Sequence, residues 1–142
     1  VLQNEQGLSD LPEKVGEYFR DANVRTFAAE GKGMVVSQVL RAPNARSVQK
    51  AIQEVDPIES FTSGLKEDWP DATFEEVTPP DIGEDTAMAT GKMSYMDINF
   101  TAWMVVFRKY NVTALVAIVG TEEASTEEVI TDYARKLEAK IR

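Results

Sequence analysis

The chain has 142 residues, with 24 acidic against 15 basic side chains and a formal charge of −9. That length is one domain, residues 1–142, with enough chain to bury a core without staples. It contains no cysteine and no histidine, which excludes disulfides, thiolate chemistry and the commonest general base and metal ligand. The negative sign, with Lys and Arg scattered singly, argues against nucleic acid and against an anionic membrane surface. No apolar run reaches the ~18 residues of a membrane span.

Leu8-Ser9-Asp10-Leu11-Pro12-Glu13 carries a cap and a first-turn proline, and Leu11, Val15 and Tyr18 or Phe19 follow at helical spacing. Thr26–Ala29 reads as a short strand, Glu30–Gly33 as a turn and Met34–Leu40 as a longer strand. Pro43-Asn44 breaks that strand and caps a helix whose stripe is Val48, Ala51, Ile52 and Val55. After Asp56-Pro57 a second helical piece places Ile58, Phe61, Leu65 and Trp69 on one side. Phe74 and Val77 suggest a strand that Pro79-Pro80 ends, and Thr86–Tyr95 alternates weakly.

The strongest pattern is two apolar runs, Phe100–Phe107 and Val112–Val119, joined at Tyr110-Asn111. A hairpin with one wet face alternates apolar with polar, but here both parities are apolar. Phe100, Ala102, Met104 and Val106 oppose Trp103, Val105 and Phe107, and Val112, Ala114, Val116 and Ile118 oppose Leu115, Ala117 and Val119. The hairpin is therefore expected at the centre of a sheet covered on two sides, with Asn111 supplying the left-handed turn residue. Ser125-Thr126-Glu127-Glu128 reads as a capping box, with Ser125 as cap, opening a final helix with Val129 or Ile130, Tyr133, Ala134, Leu137 and Ile141 along its buried stripe. These elements predict an α+β fold: an antiparallel sheet of five or six strands with the Val48–Val55 and Val129–Ile141 helices on opposite faces.

Three segments occur in a recognisable order: Ile82-Gly83-Glu84-Asp85-Thr86-Ala87, Val106-Phe107-Arg108-Lys109-Tyr110-Asn111-Val112, and Ala134–Ile141. They resemble motifs of small bacterial extracytoplasmic domains, often lipoproteins, with a PsbP-like αβα sandwich. In that group the first motif is usually Gly-Asp-Glu-Ala and the second a Phe-Arg-x-Gly-Asn hairpin, so Tyr110 stands here where glycine is usual. The resemblance implies an extracytoplasmic location, in the cell envelope or secreted, and carries over no catalytic residue. The chain opens on Val1-Leu2-Gln3, which reads as a processed or trimmed product. A membrane is then expected only through a removed lipid anchor.

The expected function is a non-enzymatic binding or accessory domain whose partner is a protein or a small apolar ligand, with no cofactor and no metal. Glu67, Asp68, Asp71, Glu75, Glu76, Asp81, Glu84 and Asp85 supply carboxylates, but without the alternating spacing of a calcium loop. The alternative is a carboxylate-based hydrolase, which needs two facing acids in a cleft. Candidate partner contacts are Trp69, Met93, Met96 and Trp103, because methionine and tryptophan form adaptable, area-rich binding surfaces. A ligand groove, if present, is expected between the sheet and the Phe61–Trp69 segment. Trp69 has two readings, a recognition side chain or the final turn of the Phe61/Leu65 stripe. Asn99-Phe-Thr101 and Asn111-Val-Thr113 both fit the N-glycosylation pattern.

Overall fold

The structure, a computed structural model, describes residues 2–6, 21–29, 33–54 and 56–141. Its sheet strands are β1 (Leu2–Gln6), β2 (Asp21–Ala29), β3 (Gly33–Arg41), β4 (Thr73–Val77), β5 (Glu84–Tyr95), β6 (Ile98–Lys109) and β7 (Val112–Thr121). The helices are α1 (Ala45–Glu54), α2 (Pro57–Asp68) and α3 (Glu127–Lys140). All neighbouring strands run antiparallel in the order β1-β2-β3-β7-β6-β5-β4.

The five or six strands expected become seven through β1, and one of the expected strands lengthens. β1 is a largely polar segment whose strand character comes from pairing with β2, and β2 extends back to Asp21 along the whole of β3. Long-range pairing overrides weak local propensity at both places. The helix start read at Leu8–Glu13 lies outside the described residues.

The β6–β7 hairpin occupies the middle of the sheet, as its two apolar parities require. Ala102, Met104 and Val106 join Leu115, Ala117 and Val119 in one buried cluster, while Val105 and Phe107 join Val112, Ala114, Val116 and Ile118 in another. Because side chains alternate along a strand, these clusters lie on the two sides of the sheet. Ile58 and Leu65 of α2 pack into the first, and Ile130 and Ala134 of α3 with Ile141 into the second. It is thus α2, rather than the Val48–Val55 helix, that meets the cluster opposite α3. The α1 helix instead buries Val48 and Ala51 beside β7.

Local signals behave unevenly. Asn44 caps α1 through a hydrogen bond from the Ser47 amide (2.9 Å). Asp56 caps α2, accepting from the Ile58 and Glu59 amides. The final helix, however, is capped by Thr126, which accepts from the Val129 amide, and not by Ser125. Ser125 is buried and donates to the Ile118 carbonyl, so the capping box does not form. At the sheet edge, Phe74 of β4 lies over Gly91 of β5, where a Cβ would come within 2.2 Å of the ring.

Candidate functional site

Two ends of the long β5–β6 pair bring together what the sequence marks out. At the first, the buried Arg108 guanidinium donates from Nε to Asp85 (2.7 Å), from Nη2 to Glu84 (2.5 Å) and from Nη1 to the Tyr110 carbonyl (3.0 Å). The chain reaches this arrangement through left-handed Gly83 and Asp85, φ +59° and +52°, and a register shift between Glu84 and Ala87. A Cβ on Gly83 would stand 2.6 Å from the Arg108 carbonyl oxygen, so glycine is required by both conformation and space. The hydrogen bond that Arg108 donates to Asp85, with the attraction of both acids, raises the Arg108 pKa against the opposing effect of burial. Arg108 stays protonated throughout the ordinary pH range, so its ion pairs add no pH slope of their own from the arginine side.

The turn beside this cluster is held equally firmly. Tyr110 takes φ +57°, so the left-handed residue is Tyr110 and not the expected Asn111. Asn111 acts as a tether, its Nδ2 donating to the Ala42 carbonyl (2.6 Å) while its own carbonyl accepts from the Ala42 amide (2.8 Å). That bond also engages the second glycosylation-pattern asparagine, whereas Asn99 remains exposed on β6.

At the other end, Tyr95 and Ile98 face each other across the strands and flank the Met96-Asp97 turn. Both turn residues are left-handed, φ +51° and +65°, the type I′ pattern in which Asn-Gly is the favoured pair. Tyr95, Met96 and Ile98 are 60%, 78% and 51% exposed. Among the described residues no side-chain hydrogen bond or ion pair involves them. Tyr95 and Ile98 share parity with the Met93–Phe100 pair one step inward, which belongs to the α2-side cluster. The apolar row of the core therefore runs on past the helix that covers it.

Beside this row is an open concavity of about 380 Å³. Met93 and Phe100 give it apolar lining, Thr73, Ser94 and Asn99 neutral polar groups, and Asp71, Glu122 and Lys92 its charges.

The sequence-derived candidates divide among these places. Trp69 ends α2, half-buried against the α2-side cluster, its amide donating to the Leu65 carbonyl (2.8 Å). Met93 is buried in the same cluster and Met96 is at the exposed turn. Trp103 packs with the opposite cluster, so it does not share a surface with the other three. Phe61 and Trp69 pack onto the sheet, and the concavity opens beyond them, from Asp71 onward. Of the acidic residues, Glu84 and Asp85 converge, and they do so on Arg108. Among the described residues no group of three acidic side chains is placed to hold a metal ion.

No protein-family model, PsbP-like or otherwise, matches the chain, and no curated protein matches it by sequence. Among solved structures, the chain is similar to the extracellular domain of PknH from Mycobacterium tuberculosis. The two share a TM-score of 0.54 at 14% identity, over 89% of this chain and 68% of that one. That likeness shows a common α+β fold built on an antiparallel sheet. No helix among the described residues is long and apolar enough to cross a membrane.

Proposed function

We propose that the chain is a non-enzymatic extracytoplasmic binding or accessory domain, an αβα sandwich that meets a protein partner through the free end of the β5–β6 hairpin. The observation that carries this reading is the exposed row of Tyr95, Met96 and Ile98. Three large apolar side chains in water, on a turn whose Met96 is ill-suited to its left-handed backbone, gain at most one cross-strand pair for the fold. Contiguous exposed apolar surface of this kind marks interaction sites. The extracytoplasmic part is supported by the structural likeness to an extracellular domain and by the lipoprotein-type motif resemblance. The acids that come together, Glu84 and Asp85, are occupied by Arg108, a structural arrangement that favours binding over hydrolysis.

A photoreactive amino acid in place of Met96, with the same group in place of exposed Lys50 as control, tests this in the native host. Crosslinking to a discrete protein from position 96, lost in the Tyr95→Ser/Ile98→Ser background, is the expected result. Equal crosslinking from position 50, or none from position 96, would overturn the reading.

A further inference from the structure

Resting on that reading, we infer that the partner at this end is a basic polypeptide segment carrying an apolar or aromatic anchor. The argument is the order of chemistry along the surface. The Tyr95–Ile98 rung is an exposed apolar step, and the Met93–Phe100 rung directly inward of it lines the concavity. An anchoring side chain laid on the first is therefore led towards the second. The charges surrounding this path are predominantly acidic. Asp71 and Glu122 line the concavity and are exposed, Asp97 sits in the turn, and Lys92 is the cation among the lining residues.

Glu122 reaches the site because Thr121, the residue before it, pairs with Phe100. Three segments distant in sequence thus deliver carboxylates around one apolar step. The whole chain, at −9, adds a long-range field that concentrates cations and repels an anionic bilayer or a second copy of itself. Apolar contact at the centre with charge at the rim is the usual anatomy of a protein interface. Rim carboxylates of this kind set the association rate and the choice of partner more than the final affinity.

The probe is a synthetic peptide alternating Lys with Leu and Trp, titrated into the isotopically labelled chain and followed residue by residue by NMR. Two control peptides replace every Lys by Glu, or every Leu and Trp by Ser. The lysine-and-tryptophan peptide should perturb residues 92–100 together with Asp71 and Glu122, and neither control should do so. In Asp71→Asn/Glu122→Gln the affinity should fall about five- to tenfold, the worth of two exposed charge pairs. Both replaced residues are exposed, so this variant folds, and an unchanged spectrum elsewhere verifies it. Perturbation spread evenly over the acidic surface, or an affinity indifferent to the two replacements, would overturn the inference. So would binding of this end to phosphatidylcholine vesicles, or concentration-dependent self-association through it. If position 96 still crosslinks a native protein while the basic peptide ignores residues 92–100, the partner site stands and its basic character is refuted.

Discussion

The two ends of the β5–β6 pair use the same unfavourable backbone and treat it in opposite ways. At the Arg108 end, left-handed Gly83, Asp85 and Tyr110 lie among side-chain bonds from Arg108 to two acids and a carbonyl, with Asn111 tied to Ala42. At the Tyr95 end, left-handed Met96 and Asp97 have no side-chain bond among the described residues and present apolar groups to water. A residue such as Met96 or Tyr110 held left-handed costs roughly 1–2 kcal/mol, and an aspartate less. In the first case tertiary bonds offset that cost. In the second nothing local does, and strain without structural return points to a surface kept for contact.

That contrast can be broken by substitution. The largest effect is expected for Gly83→Ala, which adds conformational strain to a backbone clash at 2.6 Å. It should lose about 3 kcal/mol in urea unfolding. Trp69→Ala removes a half-buried ring from the α2-side cluster. It should lose about 2–3 kcal/mol, below the range for a fully buried tryptophan, and a negligible loss would return Trp69 to the list of contact residues. Arg108→Ala leaves Glu84, Asp85 and the Tyr110 carbonyl without their shared donor. Because the two carboxylates are solvent-accessible, the loss should be about 2 kcal/mol.

The turns sharpen the comparison from the other direction. Met96→Asn/Asp97→Gly supplies the pair that this turn prefers, and Tyr110→Gly supplies a residue indifferent to φ +57°. Each should raise stability by about 1 kcal/mol. Only the first should weaken binding of the lysine-and-tryptophan peptide, since it also removes Met96.

Much of the fold was legible because it rests on period-two patterning. The parities of Phe100–Phe107 and Val112–Val119 divide between the two clusters as their alternation demands, and the central place of the hairpin follows. Two kinds of information were not legible. The first is pairing between segments that propensity does not mark: β1 and the first half of β2 carry no strand signal of their own and are defined by their partners. The second is competition between neighbouring caps. Ser125 and Thr126 both suit the role, and Ser125 is withdrawn because burial gives its hydroxyl the Ile118 carbonyl instead.

The candidate site was legible only in fragments. The motif residues Glu84, Asp85 and Arg108 were visible, but not that they bind one another. The available clue was Arg108 itself, a charge continuing the buried row of Ala102, Met104 and Val106 and therefore in need of acids. Met96 was visible as one methionine among several. Its separation from Met93 depends on where α2 stops covering the sheet, which no local pattern records.

The central claim is that the Tyr95 end serves contact and the Arg108 end serves stability. The direct measurement is the double variant Tyr95→Ser/Ile98→Ser, unfolded in urea and assayed for crosslinking from position 96. The account predicts a stability change below about 1 kcal/mol, the scale of one cross-strand pair, with crosslinking lost. A loss of stability matching that of Arg108→Ala, with crosslinking intact, would contradict it.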